Sequence, residues 1–290
     1  MKLARQNVGF LGVAFSHGSR TPKGTELAPK TIRQAGTFEE VKNSGIDVFD
    51  YGDLSYHGVD SGNLSAQEYT ESMLQDVYKK VSCILKDGRM PFTIGGDHSI
   101  SAGAILAAKA AHEDMGLIWI DAHDDSSGAS EKCGELYPGA NKTINHANVL
   151  AHLSNTDPAT IIKSTTLGKK GYIPRKQVCL VSCRRIFKTA GYENVKSSEI
   201  DRAISIASND GKNKIYMSFD IDALIEYFSP GTGNPDGMMP MEDAYKICRQ
   251  IANSGLLVGA DLVEFNPNLD EDNKTLNAAK QIILSTCLGK

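Results

Sequence analysis

The chain has 290 residues, of which 41% are hydrophobic and 23% charged, and its formal net charge is −4. These values are ordinary for a globular protein with a sizeable core, and the acidic balance without a basic block argues against nucleic acid as a partner. No stretch approaches the roughly 18 apolar residues that a membrane span needs. The six cysteines are scattered without a CxxC pair, which favours free thiols in the reducing cytoplasm.

Seven short apolar runs alternate with helical patterns along the chain. The first follows a basic N-terminus, but glycines interrupt it, so a β-strand is the better interpretation than a signal peptide. Strands are predicted at residues 8–15, 48–51, 90–94, 116–120, 177–182, 215–219 and 256–263, and helices at 65–86, 99–112, 241–253 and 272–287. The alternation predicts a three-layer α/β/α fold with a mostly parallel central sheet. Since no repeat or linker is evident, we expect a single domain over residues 1–290.

Two segments between the predicted elements are long and rich in glycine or polar residues. They cover residues 16–29 and 126–148. Long loops in a compact domain are usually functional or disordered. These two segments are therefore candidate binding loops.

Polar residues follow three of the predicted strands directly. Gly-Gly-Asp-His occupies 95–98, Asp-Ala-His-Asp-Asp occupies 121–125, and Asp-Ile-Asp occupies 220–222. Ligands of open α/β sheets bind at the carboxyl ends of the strands. Residues two apart in extended backbone point to the same side, so Asp121, His123 and Asp125 are predicted to converge, as are Asp220 and Asp222.

With His98, this set comprises two imidazoles and four carboxylates. Four carboxylates at one place repel each other unless something neutralises them. Two divalent cations would balance the four charges. Oxygen ligands with two imidazoles and no thiolate suit manganese or a similar metal.

The motifs resemble those of the arginase (ureohydrolase) family, and arginases most closely. The matching segments are 95–99, 121–125, 218–222, 229–233 and 264–267, with further similarity at 24–36, 50–54 and 283–289. Several motifs in the right order are far more specific than one. The resemblance spans most of the chain and implies an arginase-like fold.

The resemblance also implies a two-manganese centre. One ion would be held by His98, Asp121, Asp125 and Asp220, and the other by Asp121, His123, Asp220 and Asp222. Asp121 and Asp220 would then bridge the two ions, and a shared hydroxide would attack the guanidinium carbon. Asp125 would pass a proton to the leaving amine, and Glu264 would pair with the guanidinium. Trimers and hexamers are common in the family, so a homo-oligomer is expected.

The sequence departs from the family at three places. The Asp-Pro turn usual after Asp-x-Asp is replaced by Ile225-Glu226, which predicts a different loop. The proton-shuttle histidine has its nearest counterpart in His146, 21 positions after Asp125; His152 competes with it, and a loop or helix-cap role is the other interpretation.

The third departure concerns the substrate tail, which Ser127 and Arg185 are predicted to contact. A cationic Arg185 would favour a tail carboxylate over an amine, although Glu193 could supply an acid instead. Hydrolysis of a guanidino substrate, L-arginine first, is the favoured function. The alternatives are formimidoylglutamate or another guanidino or amidine compound, and a non-catalytic homologue acting as a binding or regulatory subunit.

Overall fold

The computed structural model describes residues 7–18, 23–56, 66–123, 125, 144–154, 178–182 and 196–289. Its centre is one seven-stranded sheet. The strands are β1 (Val8–Ala14), β2 (Val48–Ser55), β3 (Met90–Ile94), β4 (Gly116–Asp121), β5 (Val178–Ser182), β6 (Ile215–Asp220) and β7 (Leu257–Val263). Their order is β2-β1-β3-β7-β6-β4-β5, and all neighbouring strands are parallel. The predicted sheet is therefore confirmed.

Eight α-helices of the described residues cover the sheet. They are α1 (Ala28–Gln34), α2 (Thr37–Asn43), α3 (Ala66–Lys86), α4 (Ser101–Ala111), α5 (Val149–Ser154), α6 (Ser197–Ser208), α7 (Met241–Asn253) and α8 (Lys274–Leu288). The four predicted helices correspond to α3, α4, α7 and α8. The predicted start of the second, at 99, falls in a 3-10 turn over His98–Ile100 that precedes α4.

Each face of the sheet carries its own hydrophobic core because successive strand residues point to opposite faces. Phe10 belongs to the core formed with α1, α2, α6, α7 and α8, whereas its neighbour Leu11 belongs to the core formed with α3, α4 and α5. Along β4, Ile118 and Trp119 divide in the same way. Burying each such side chain contributes about 1.5–3 kcal/mol. The three-layer α/β/α arrangement is the result.

The end of β3 runs close to the end of β1. A Cβ atom on Gly96 would lie 1.8 Å from the carbonyl oxygen of Phe15, so only glycine fits there. The Gly96 N–H donates to the carbonyl of Val13 at 3.0 Å. This contact fixes the start of the segment that carries His98. Among the described residues, no helix is long and apolar enough to cross a membrane.

Candidate metal centre

The predicted metal ligands and Glu264, the predicted partner of the guanidinium, lie at the carboxyl ends of four neighbouring strands in the middle of the sheet. His98 follows β3, Glu264 follows β7, Asp220 ends β6 and Asp121 ends β4. Strand β7 lies between β3 and β6, and β6 lies between β7 and β4. The order of the strands thus brings together residues that are far apart in sequence.

The residues two apart do converge, but through turns rather than through extended backbone. One carboxylate oxygen of Asp121 accepts the N–H of His123 at 2.6 Å. In the same way, Asp220 accepts the N–H of Asp222 at 2.8 Å, and Asp222 lies in a 3-10 turn over Ile221–Ala223. Asp125 has a φ of 38°, which also departs from a strand. The convergence was therefore expected for the wrong reason. It arises because short Asp side chains accept a hydrogen bond from the backbone N–H two residues later in the chain.

The first group of ligand atoms surrounds Nδ1 of His98. This nitrogen lies 3.2 Å from Asp121 Oδ2, 3.1 Å from Asp125 Oδ2 and 3.1 Å from Asp220 Oδ2. All four residues are buried, and their ligand atoms lie close enough together to hold one cation. This is the set that the family resemblance assigns to one metal ion.

The second group surrounds Nδ1 of His123. This nitrogen lies 2.9 Å from Asp222 Oδ2 and 3.5 Å from Asp121 Oδ1. Together these three residues form a second group that could hold a cation. Asp121 belongs to both groups, with one oxygen turned towards each. Asp220 belongs geometrically to the first group only.

The charges of the cluster are poorly matched in the metal-free protein. Burial raises the pKa of Asp125 to about 8, and the neighbouring charge of Asp121 adds to the rise. The same two causes raise the pKa of Asp222 to about 6. Burial, together with the charges of Asp222 and Asp121, raises the pKa of Asp220 well above its usual range. Carboxylates resist ionisation here because they are buried close together.

The two imidazoles respond in the opposite direction. Burial lowers the pKa of His98, but hydrogen bonds to its three carboxylate neighbours outweigh burial and raise that pKa well above the usual value. The pKa of His123 rises to about 11 because of Asp121 and Asp222. The carboxylates thus favour positive charge at both imidazole positions. Two imidazoles and four carboxylates with no thiolate fit a pair of hard or borderline divalent metals.

A row of side chains crosses four strands beneath His98. Thr93 of β3 is paired with Asp261 of β7, Asp261 with Ser218 of β6, and Ser218 with Trp119 of β4. The Ser218 hydroxyl donates to Asp261 at 2.6 Å and contacts Nε2 of His98 at 2.9 Å. Because its proton points to Asp261, Ser218 accepts from Nε2–H. His98 Nδ1 is therefore the nitrogen left to face the carboxylates.

Trp119 holds two ligands at once. Its ring stacks on the His98 imidazole, with centroids 4.0 Å apart and planes 4° from parallel. Its indole N–H donates to Asp121 Oδ2 at 3.0 Å. The supporting roles of Trp119, Ser218 and Asp261 were not predicted from the sequence. The one available signal in the sequence was Asp261, a carboxylate inside the apolar run of β7. A buried charge is rare without a partner, so Asp261 indicates a polar neighbour.

Glu264 lies beside His98. One of its carboxylate oxygens accepts the His98 backbone N–H at 2.8 Å, and its backbone φ of 64° is left-handed. Burial, followed by the charge of Asp97, raises the pKa of Glu264 well above its usual range. Asp97 itself accepts the N–H of Gly18 at 2.7 Å and thereby ties the segment after β1 to the site.

The other predicted residues are less tightly connected to the cluster. His146 is half-buried, and its backbone N–H donates to Gly18 at 3.2 Å. His152 is buried in α5. Within the described residues, neither histidine belongs to a group of potential metal ligands. Ser127, Arg185 and Glu193 lie outside the described residues.

The family model described as the arginase family matches residues 6–289. The chain belongs to the arginase family. Its curated relatives include arginase-1 of Sus scrofa, which is 30% identical over 100% of this chain and 95% of that protein. Arginase-1 of Homo sapiens is 28% identical with the same coverage. Members of the arginase family are hydrolases of amidine and guanidino carbon–nitrogen bonds and generally depend on two metal ions.

Solved arginase-family structures share the fold. The arginase of Bacillus subtilis has a TM-score of 0.77 and 22% identity, covering 98% of this chain and 99% of that one. A hypothetical agmatinase from Burkholderia thailandensis has a TM-score of 0.73 and 22% identity, covering 99% and 87%. At this level of identity the similarity establishes the arginase fold of this chain but not its substrate.

Proposed function

We propose that this protein is an arginase, which hydrolyses L-arginine to L-ornithine and urea with two manganese ions. The observation that carries the proposal is the pair of ligand groups that share Asp121. The full-length similarity to arginases supports the choice of substrate. His98, Asp121, Asp125 and Asp220 would hold one ion, and Asp121, His123 and Asp222 the other, with Asp220 as the further bridge that the resemblance implies.

A pair of divalent ions would lower the pKa of a shared water and stabilise the charge that develops during its addition. The residues of the chain position the remaining groups. Glu264 has one oxygen on the His98 backbone, which leaves its second oxygen for the cationic guanidinium head. A planar guanidinium suits a carboxylate partner.

Asp125 is the proposed proton carrier. Its carboxylate belongs to the first group of ligands, 3.1 Å from His98 Nδ1, and the family resemblance implies this role for it. The water oxygen would bond to the guanidinium carbon while the bond from that carbon to the side-chain nitrogen breaks. Asp125 would pass one proton of the water to the leaving nitrogen, and the other, released when the water ionises, would return to that nitrogen from solvent, so that urea and an ammonium group result. His146 is proposed to exchange protons with solvent at the edge of the site, and Ser127 and Arg185 to contact the substrate tail.

The test is product formation by manganese-loaded protein over a small substrate panel. An arginase releases urea and ornithine from L-arginine and leaves formimidoylglutamate and agmatine intact. Turnover of formimidoylglutamate instead would reassign the substrate and favour Arg185 as a reader of carboxylates. Absence of any turnover by protein holding two ions would favour the non-catalytic homologue. Cytoplasmic location and a trimeric or hexameric assembly stay predictions, the second to be measured by light scattering.

A further inference from the structure

His123 has neighbours on both ring nitrogens. Its Nδ1 faces Asp222 and Asp121. Its Nε2 lies 2.9 Å from Nδ2 of Asn234 and 3.8 Å from Oδ2 of Asp236. Asn234 and Asp236 are exposed. The second nitrogen of His123 is therefore contacted by an amide at the surface, whereas that of His98 contacts a buried hydroxyl.

The segment that carries Asn234 is fixed to the turn of the metal ligand Asp222. Met239 donates its N–H to Ala223 at 3.0 Å, and Ile225 donates to Met239 at 3.0 Å. A Cβ atom on Gly237 would lie 2.0 Å from the carbonyl oxygen of Asp222. The backbones are thus in direct contact, and only glycine permits this approach. Asn234 is consequently held against His123 by the same turn that places Asp222.

An amide side chain suits this position for a chemical reason. When Nδ1 of a neutral imidazole binds a cation, Nε2 must carry the proton and needs an acceptor. When Nδ1 carries the proton instead, Nε2 needs a donor. The side-chain amide of Asn234 offers an N–H donor at one end and an oxygen acceptor at the other, and half a rotation exchanges them. Asp236 adds an acceptor on the same side.

We propose that Asn234 is a positioning residue that holds His123 as a metal ligand by accepting its Nε2–H through the amide oxygen. Half a rotation of the Asn234 amide exchanges its nitrogen, which lies 2.9 Å from Nε2, with its oxygen and so brings the acceptor to this position. This inference rests on the proposed two-metal function. In this arrangement Asn234 supports His123 in the same way as Ser218 supports His98.

The experiment is manganese binding by isothermal titration, with bound ions counted after dialysis. Asn234→Leu keeps the shape but removes both donor and acceptor. Asn234→Asp keeps only acceptors. Asn253→Leu is the matched control, because Asn253 ends α7 just before β7 begins, whereas the ligands lie at the carboxyl ends of the strands. Loss of an outer partner typically weakens metal binding by about 10–100-fold. We expect that loss for one of the two ions in Asn234→Leu, and binding at least as tight as wild type in Asn234→Asp.

Each outcome decides the inference. Wild-type affinity for both ions in Asn234→Leu would overturn it. An equal loss of affinity in Asn234→Leu and Asn234→Asp would also overturn it, because the N–H donor of the amide, and not its oxygen, would then support His123. Equal weakening by Asn253→Leu would also overturn it. Wild-type protein that binds no manganese would overturn the proposed function together with the inference. Two ions bound by the wild type and unaltered binding by Asn234→Leu would overturn the inference alone.

Discussion

His98 and His123 both turn Nδ1 towards carboxylates, yet the His98 side chain is fully buried while 27% of the His123 side chain is exposed. The partners of His98 are strand residues fixed by cross-strand pairing, namely Ser218 and Trp119. His123 shares Asp121, at the end of β4, with His98, but its other partners, Asp222 and Asn234, lie outside the strands. One half of the centre is therefore built into the sheet, and the other half depends on loop geometry. Substitutions on the two sides should accordingly differ in whether they also affect the stability of the fold.

The largest effect is expected at the residue common to both halves. Asp121→Asn removes a charge from each group of ligands, so bound manganese should fall towards zero. We expect kcat/KM to fall by about 10³-fold or more, corresponding to about 4 kcal/mol of transition-state stabilisation. The measurement is metal content together with urea release. Asp210→Asn, at an exposed position after α6, is the control, and two retained ions in Asp121→Asn would contradict the shared role.

A smaller effect is expected on the His98 side at Glu264. Glu264→Gln preserves shape but removes the charge that would meet the guanidinium. The loss of a charge-assisted partner in a buried site should cost about 2–4 kcal/mol of transition-state binding. Steady-state kinetics should show a large fall in kcat/KM while two ions stay bound. If the ions are lost as well, Glu264 supports His98 rather than the substrate.

The buried side of the comparison is tested at Ser218. Ser218→Ala removes the acceptor of His98 Nε2–H and leaves Asp261 without its 2.6 Å donor. Manganese affinity should fall by about 10–100-fold, and the free energy of unfolding by about 1–3 kcal/mol because a buried acceptor is unsatisfied. Denaturant unfolding measures the second quantity. Asn234→Leu, on the exposed side, should leave unfolding of the metal-free protein unaltered; an equal loss in both variants would abolish the distinction.

The last effect is a pH dependence of the metal-free protein, spread over two pH units and requiring no substitution. The pKa of Asp125 is raised from 3.8 to about 8 by burial and by Asp121. Protonation of Asp125 therefore stabilises the folded state at low pH, and this contribution is lost as the pH rises towards 8. The raised pKa of His123 acts in the same direction. Stability should therefore fall between pH 6 and 8, by at most about 1.4 kcal/mol per pH unit for the Asp125 proton.

Calorimetry of chelator-treated protein would measure this as a Tm lower at pH 8 than at pH 6. Added manganese replaces the protons and binds only the folded state, so it should raise Tm more at pH 8. A Tm of the metal-free protein that climbs over this range would contradict the charge balance of the cluster. Asp125→Asn should reduce the slope, because it removes the group that titrates.

The sequence was sufficient for the buried strands because such parallel strands are apolar along their whole length, whereas the half-exposed edge strand β2 extends four residues beyond the predicted run of 48–51. The run predicted at 90–94 coincides with β3, and the run at 116–120 falls one residue short of β4. Helices α1, α2 and α5 were missed because they have only six or seven residues, too few turns for a clear periodicity. Helix α6 was missed although its periodicity extends over 12 residues.

The ligands were predictable because they follow strands that the sequence reveals, but their supporting residues were not. Ser218 meets Asp261 only because β7 lies beside β6, and strand order is a property of the folded chain rather than of local sequence. Asn234 reaches His123 through the contact of Gly237 with Asp222. No local pattern distinguishes that glycine from one in an ordinary turn.

The place of β7 in the sheet has a consequence for the synthesis of the protein. This strand comes last of the seven in the chain, yet it lies at the centre of the sheet between β3 and β6. Until residues 257–263 have left the ribosome, β3 and β6 have no shared neighbour, and His98 cannot meet Asp220. A nascent chain that has emerged as far as α7 holds all six predicted metal ligands but lacks the strand that brings them together. Assembly of the candidate metal centre must therefore follow completion of the polypeptide almost to its end.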